Sequence, residues 1–348
     1  MRLFDRNAPG VEWTGEDAHT EPNPPPPLRL DAYPAACPAC GGELGVDGYC
    51  LQCGQKAQTT REHFETTPVP WVAGVCDIGR AHPRNEDAMA CQATADRAVI
   101  VVCDGVTTSD DSDLAAMAAA RAACDAAWGD NPAGLGTPES RQAAMTAALT
   151  RAVAAANEAV GRTGDPDSAN SAATTIAVAV IGPADVYCAN LGDSRIYWLP
   201  DDGVPTQTTK DHSLAQDGID SGTGRAEAES SVFAHTITKW LGRDAVDVVP
   251  AVSALPRTVA GWLVVCTDGL WNYASEATAV QDLVRGLVAE DPAPPHVAAG
   301  LVAWANAQGG HDNVTVVCAR LDAPGSTPSP TDSPPVGEDS AERATEPV

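Results

Sequence analysis

Five segments spread along the chain bound apolar, strand-like runs with acidic residues: RNEDA around Asp87, VVCDG ending at Gly105, NLGDSR around Asp193, VVCTDG ending at Gly269, and HDNVTVV around Asp312. An apolar run that closes on a carboxylate reads as a buried strand whose tip is held by the core yet stays open on one side. One such Asp-Gly alone would be a turn after a strand. Recurrence at several strand ends of one domain points to a shared cluster of carboxylate, carbonyl and water oxygens, the donor set of Mg or Mn rather than Zn or Cu. The glycines after Asp104 and Asp268 are expected to let the backbone bend away, so that a carbonyl can also face a cation.

The 348 residues suffice for one large domain and a small module, and 44% hydrophobic content supplies a packed core. Strand-like runs fall at 72–78, 98–103, 174–181, 185–190, 194–199, 262–267 and 313–320. Helical patterns cover 112–128, opened by Ser112, and 138–160, with Thr137 as N-cap and Gly161 as its stop; two more fit 275–290 and 295–308. The links between 174–181 and 185–190, and between 185–190 and 194–199, are too short for a parallel crossover, so both pairs are expected to form antiparallel hairpins. An α+β fold, antiparallel strands covered by helices, follows.

Residues 1–33, with the run PNPPPP, and 322–348, rich in Pro, Ser, Thr and acids, are expected to be disordered tails. Between them lie a cysteine module at 34–58, a short connection containing Thr66, Thr67 and Pro68, and a long domain at 68–321. Asp and Glu total 47 against 21 Lys and Arg, a formal charge of −26, which repels nucleic acid and anionic membrane. The chain holds no apolar run of about eighteen residues and no basic leader, so a cytoplasmic location is expected.

Of eleven cysteines, seven are scattered singly, an odd number that suits a reducing compartment. The other four form two knuckles, Cys37-Pro-Ala-Cys40 and Cys50-Leu-Gln-Cys53, with Asp47-Gly48 between them as a hairpin-turn signal. Two knuckles closing on each other predict a small ribbon with one structural Zn; four thiolates leave no open position for catalysis at that metal. Lys56 is the one cation between 34 and 58, so a protein partner suits the ribbon better than nucleic acid.

Taken together and in order, GRAHPRNEDA (79–88), VVCDG (101–105), SAATT (171–175), ANLGDSRIY (189–197), KDHS (210–213), ITKWLG (237–242), CTDGLW (266–271) and HDNVTVV (311–317) resemble the metal-dependent protein phosphatases of type 2C, in their compact bacterial form. The resemblance implies an α-β-β-α sandwich, two antiparallel sheets flanked by helices, with two to three Mn or Mg ions at one end. It implies that Asp104 bridges two cations, that the Gly105 carbonyl joins them, that Asp268 and Asp312 complete one site, and that Glu86 and Asp87 hold the other directly or through water. Asp193 matches a looser third site shared with Asp268. The implied activity is hydrolysis of phosphoserine and phosphothreonine in proteins by a metal-activated water, within a Ser/Thr kinase pathway.

Two departures stand out. Many relatives carry an Arg four residues before the NED glutamate to grip phosphate; here that position is His82, with Arg80 and Arg84 nearby as substitutes. The position after the Asp104-Gly105 pair, a His in eukaryotic relatives, is Val106, which leaves the general acid unassigned; His212 and His311 read as orienting or surface residues. The alternative these departures motivate is a phosphoprotein-binding pseudophosphatase. A third reading makes the ribbon dominant, as a zinc-dependent scaffold. Residues 211–235, glycine-bearing and aperiodic, are expected to form a flap or a plain surface loop.

Overall fold

The structure, a computed structural model, describes residues 32–323. The two expected tails lie outside the described residues but for positions 32, 33, 322 and 323. The elements run β1 (His63–Val69), β2 (Val72–Asp77), β3 (Asp87–Ala93), β4 (Ala98–Asp104), α1 (Ser112–Gly129), α2 (Pro138–Val160), β5 (Ala173–Thr174), β6 (Ile176–Ile181), β7 (Asp185–Leu191), β8 (Arg195–Pro200), β9 (Thr206–Gln207), α3 (Leu214–Asp220), α4 (Arg225–Glu229), β10 (Leu241–Gly242), β11 (Ala251–Pro256), β12 (Gly261–Cys266), α5 (Asp268–Trp271), α6 (Ala277–Glu290), α7 (Pro294–Gln308) and β13 (Val314–Leu321).

One sheet has the order β1-β2-β13-β12-β8-β9 and the other β11-β7-β6-β4-β3, antiparallel throughout, with β5 and β10 forming a small separate pair. The expected α-β-β-α sandwich is therefore present. β4 shows why its sequence is continuously apolar: Ala98, Ile100 and Val102 face the opposite sheet, while Val99, Val101 and Cys103 face α1 and α2. Both faces are buried, so no polar alternation survives. On the outside of the other sheet, Val297, Leu301 and Ala305 of α7 pack with Val280 and Val284 of α6. Thr137 caps α2 as expected, its hydroxyl accepting from the Ser140 N–H at 3.2 Å.

Three connections differ from expectation. β7 and β8 do not form a hairpin: β7 pairs with β6 and β11, whereas β8 pairs with β12 and β9. The short link crosses from one sheet to the other at Gly192, whose φ of +103° suits glycine and whose added Cβ would stand 2.6 Å from Thr175 Cβ. Loop length alone cannot separate a hairpin from a sheet switch when both strands are buried on both faces. The connection expected at Thr66–Pro68 is part of β1, an edge strand whose register shifts between Thr66 and Val69, which is where a sheet tolerates proline. The run 174–181 is broken at Thr175 into β5 and β6.

Candidate metal centre

The sandwich brings the acidic segments to one end. Asp87 opens β3 directly across from Asp104, the last residue of β4. Asp193 sits at the crossover after Gly192, Asp268 opens α5 after β12, and Asp312 stands just before β13. Asp104, Gly105, Asp193, Asp268 and Asp312 line one cavity of about 220 Å³, joined by His235 from the segment between α4 and β10.

The glycines of the two Asp-Gly pairs serve close approach rather than a bend. Neither has a left-handed φ. A Cβ on Gly105 would fall 2.6 Å from the Ser112 carbonyl oxygen and 2.7 Å from that of Glu86. A Cβ on Gly269 would fall 1.9 Å from the Asn313 carbonyl oxygen. Each glycine thus lets one acidic segment press against another.

Asp87 lies behind the cavity, its Oδ2 accepting from the Thr267 and Thr315 hydroxyls, both at 2.8 Å. Glu86 Oε1 accepts from Ser112 Oγ at 2.6 Å and Arg84 Nε at 2.8 Å. Ser112 therefore opens α1 as expected, with its hydroxyl turned to Glu86 instead of capping the helix. Glu86 Oε2 and Asp268 Oδ1 are buried with no hydrogen-bond partner among the described residues. Burial, reinforced by repulsion from Asp268, Asp87, Asp312 and Asp193, pushes the Asp104 carboxyl well above its usual range. Burial does the same to Asp193, lifts Asp87 to about 8, and, with the Asp312 charge, lifts Asp268 to about 7. Dehydrated, mutually repelling carboxylates with orphaned oxygens fit a hard divalent cation, which would supply the missing partner and neutralise the charge.

The three phosphate candidates separate. His82 Nε2 lies 3.2 Å from Asp312 Oδ1, and its Nδ1 lies 3.9 Å from Glu86 Oε2. Arg84 is committed to Glu86, with a further bond to Ser112 Oγ at 3.1 Å. The Arg80 guanidinium has no hydrogen bond or ion pair among the described residues, and its backbone N–H donates to the Gly310 carbonyl at 2.8 Å. His212 Nδ1 accepts from the Gly192 N–H at 3.3 Å. His311 donates its backbone N–H to Tyr273 Oη.

Several residues that build the site were not anticipated. Asn313 Oδ1 accepts from the Glu86 N–H at 2.7 Å, and its Nδ2 donates to the carbonyls of Ile78 and Arg84, so one amide ties the Asp312 segment to the Glu86 segment. Arg195 is 2% exposed and makes ion pairs with Asp211 at 2.6 Å and Glu229 at 3.0 Å. Its guanidinium lies 3.7 Å from the centre of the Trp271 ring, against which His235 stacks at 6.0 Å. Trp271 Nε1 in turn donates to the Asp193 carbonyl at 2.9 Å. The 211–235 segment is thus anchored, with α3 and α4 inside it. An Asn beside each acid, in NED and HDN, was the available signal for Asn313; burial of Arg195 had none.

In the cysteine module the ligand atoms of Cys37, Cys40, Cys50 and Cys53 all lie within 4.8 Å of one another. The Cys53 and Gln52 N–H groups both point at Cys50 Sγ from 3.4 Å and pull that thiol down to about 6. Gly48 adopts φ +80° at the expected turn, with the bridges Leu44–Cys50 and Tyr49–Lys56 in place of extended strands. Such a donor set could hold a tetrahedral metal ion.

Sandwich, acidic cavity and motif order together have the form of the type 2C metal-dependent phosphatase family. Residues 79–306 match the family Protein phosphatase 2C, and the chain belongs to it. It is 31% identical to the Serine/threonine phosphatase stp of Listeria innocua over 141 residues, 40% of this chain and 53% of that protein, so it spans about half the length of the curated relative. Among solved structures, the Mycobacterium tuberculosis serine/threonine phosphatase PstP/Ppp is 26% identical with a TM-score of 0.58, covering 72% of this chain and 98% of that one. The catalytic domain of PstP in complex with 2 manganese ions is 25% identical with a TM-score of 0.55, over the same shares. No helix among the described residues is long and apolar enough to cross a membrane.

Proposed function

We propose that this chain is a protein serine/threonine phosphatase that hydrolyses phosphoserine and phosphothreonine with water activated at a two-metal Mn or Mg centre. The observation that carries the reading is the convergence of Asp104, Gly105, Asp193, Asp268 and Asp312 on one cavity beside two orphaned buried carboxylate oxygens. Asp104, at the end of β4, is suited to bridge, with Asp268, Asp312 and the Gly105 carbonyl beside it. Glu86 would act through Oε2, its other oxygen being held by Ser112 and Arg84. Asp87 would act through Oδ1, since the two threonines occupy Oδ2, and Asp193 with Asp268 would take a third, looser ion. Divalent cations held by these residues would supply Lewis-acid activation of water and neutralisation of charge on the phosphate.

The protein's own groups hold that geometry and orient the phosphate. His82 sits between Glu86 and Asp312, and Arg80 is the one of the three phosphate candidates whose charge is uncommitted. Hence we assign phosphate contact to His82 with Arg80, and a ligand-positioning part to Arg84. Against the pseudophosphatase alternative stands the acid set, Asp104, Asp193, Asp268 and Asp312 in the cavity with Glu86 and Asp87 beside it, which a binder would not need. One structural Zn in the cysteine module, a protein partner for that module, phosphoprotein substrates from a kinase pathway and a cytoplasmic site complete the reading; the odd number of single cysteines supports the last.

The test is hydrolysis of phosphothreonine peptides in Mn by the wild type and by Asp104→Asn. Turnover in the wild type that chelation abolishes, and an inert variant, are expected. Equal rates in the two proteins would overturn the assignment.

A further inference from the structure

A second cavity, of about 390 Å³, adjoins the acidic one and shares Val106, Thr108, His235 and Ile237 with it, so the two are halves of one cleft. Its wall carries Trp240 and Asp244. Trp240 Nε1 donates to Asp244 Oδ1 at 3.0 Å, which orients the indole and leaves Oδ2 without a partner among the described residues. Asp244 is the one carboxylate of this half, which no Lys or Arg lines. The cations next to it in sequence are engaged elsewhere: Lys239 with Asp247, and Arg243 with the carbonyls of Asp165 and Ser168.

We propose that this half of the cleft is a subsite for a lysine or arginine that neighbours the phosphorylated residue in the substrate, with Trp240 and Asp244 as specificity-determining residues. The inference rests on the phosphatase reading and extends it to a substrate class. A long aliphatic cation matches all the features present: its stem can cover Val106 and Ile237, and its head can meet the indole face and the free carboxylate oxygen. An acidic neighbour would instead face Asp244 within a chain of net charge −26. A small apolar neighbour would leave both the indole face and Asp244 Oδ2 unused.

The experiment compares phosphothreonine peptides that carry Arg, Gln or Glu in turn at each flanking position, measuring kcat/KM and, by fluorescence anisotropy, binding, with para-nitrophenyl phosphate as a substrate that has no flanks. At one position the wild type is expected to favour Arg over Glu about tenfold. Asp244→Asn, which keeps an oxygen for Trp240, should erase that preference, and Asp244→Lys should reverse it. Turnover of peptides with no Arg preference at any position, or a preference that persists in both variants, overturns the subsite. Peptide binding with the Arg preference but no turnover of any phosphate ester would sink the phosphatase reading and leave the subsite standing.

Discussion

The cysteine module and the acidic cavity are both suited to metal, yet they are assembled in opposite ways. The module takes four soft donors from one short stretch, Cys37 to Cys53, and a tight turn at Gly48 is enough to bring their sulfurs within 4.8 Å. The cavity takes hard donors from four segments, at Asp104, Asp193, Asp268 and Asp312, with Glu86 and Asp87 behind them, and needs both sheets, a sheet switch and two contact glycines to gather them. A local site depends on its spacing, whereas a dispersed one depends on the whole core. Damage should therefore spread differently: confined in the module, but reaching from the cavity into the sandwich.

The largest expected effect is on turnover. Asp104→Asn should lower Mn-dependent hydrolysis on the order of 10³-fold, while elemental analysis still finds about one Zn per chain. Loss of Zn in that variant would break the supposed independence of the two sites. Cys40→Ser should reduce the Zn content to near zero, and an unchanged content would dismiss the four-sulfur site.

Next comes the joint between acidic segments. Asn313→Ala removes three hydrogen bonds and leaves the buried Glu86 N–H without its acceptor, so urea unfolding should show a loss of about 1–3 kcal/mol, with kcat/KM falling alongside. A variant with normal stability and reduced turnover would make Asn313 a matter of the cavity alone.

The smallest effect concerns the passage from module to sheet. Asp77 accepts from Gln58 and His63 on the module side, from Asn306 of α7 and from the Gly79 N–H. Its hydrogen bond raises the His63 pKa above 6.5; burial alone would raise Asp77, but its donors outweigh that and hold it low. The His63 contribution is then complete below pH 6.5 and lost as pH rises through the raised value. His63→Gln should lower the Tm slightly near pH 6, and the gap to wild type should close in alkaline buffer. A gap that widens with pH would reverse the sign of the coupling.

Much of this was readable before the fold. Apolar runs ending in VVCDG and VVCTDG marked β4 and β12 and the tips that carry Asp104 and Asp268, because continuous burial leaves an unmistakable pattern. The cysteine knuckles declared themselves by spacing. The β7–β8 link was misread because sheet membership is decided by layers the chain has not yet built when the link is read. β1 was missed because an edge strand needs few apolar residues. The glycines of the two Asp-Gly pairs looked like turn glycines, since the atoms they make room for, the carbonyls of Glu86, Ser112 and Asn313, come from distant segments. Trp240 stood out only as part of ITKWLG and Asp244 not at all, for the same reason: their cleft exists only once β10 is in place.

Arg195 has a consequence for how this protein can change over generations. Its guanidinium is shut away from water among Asp211, Glu229 and the Trp271 ring, so removing either acid would leave a dehydrated charge short of one of its two counter-ions, at a cost of about 1–3 kcal/mol. Neutral drift through 211–235 should accordingly be free at most solvent-facing positions and blocked at those two, making the segment variable in composition yet invariant in where it is fastened.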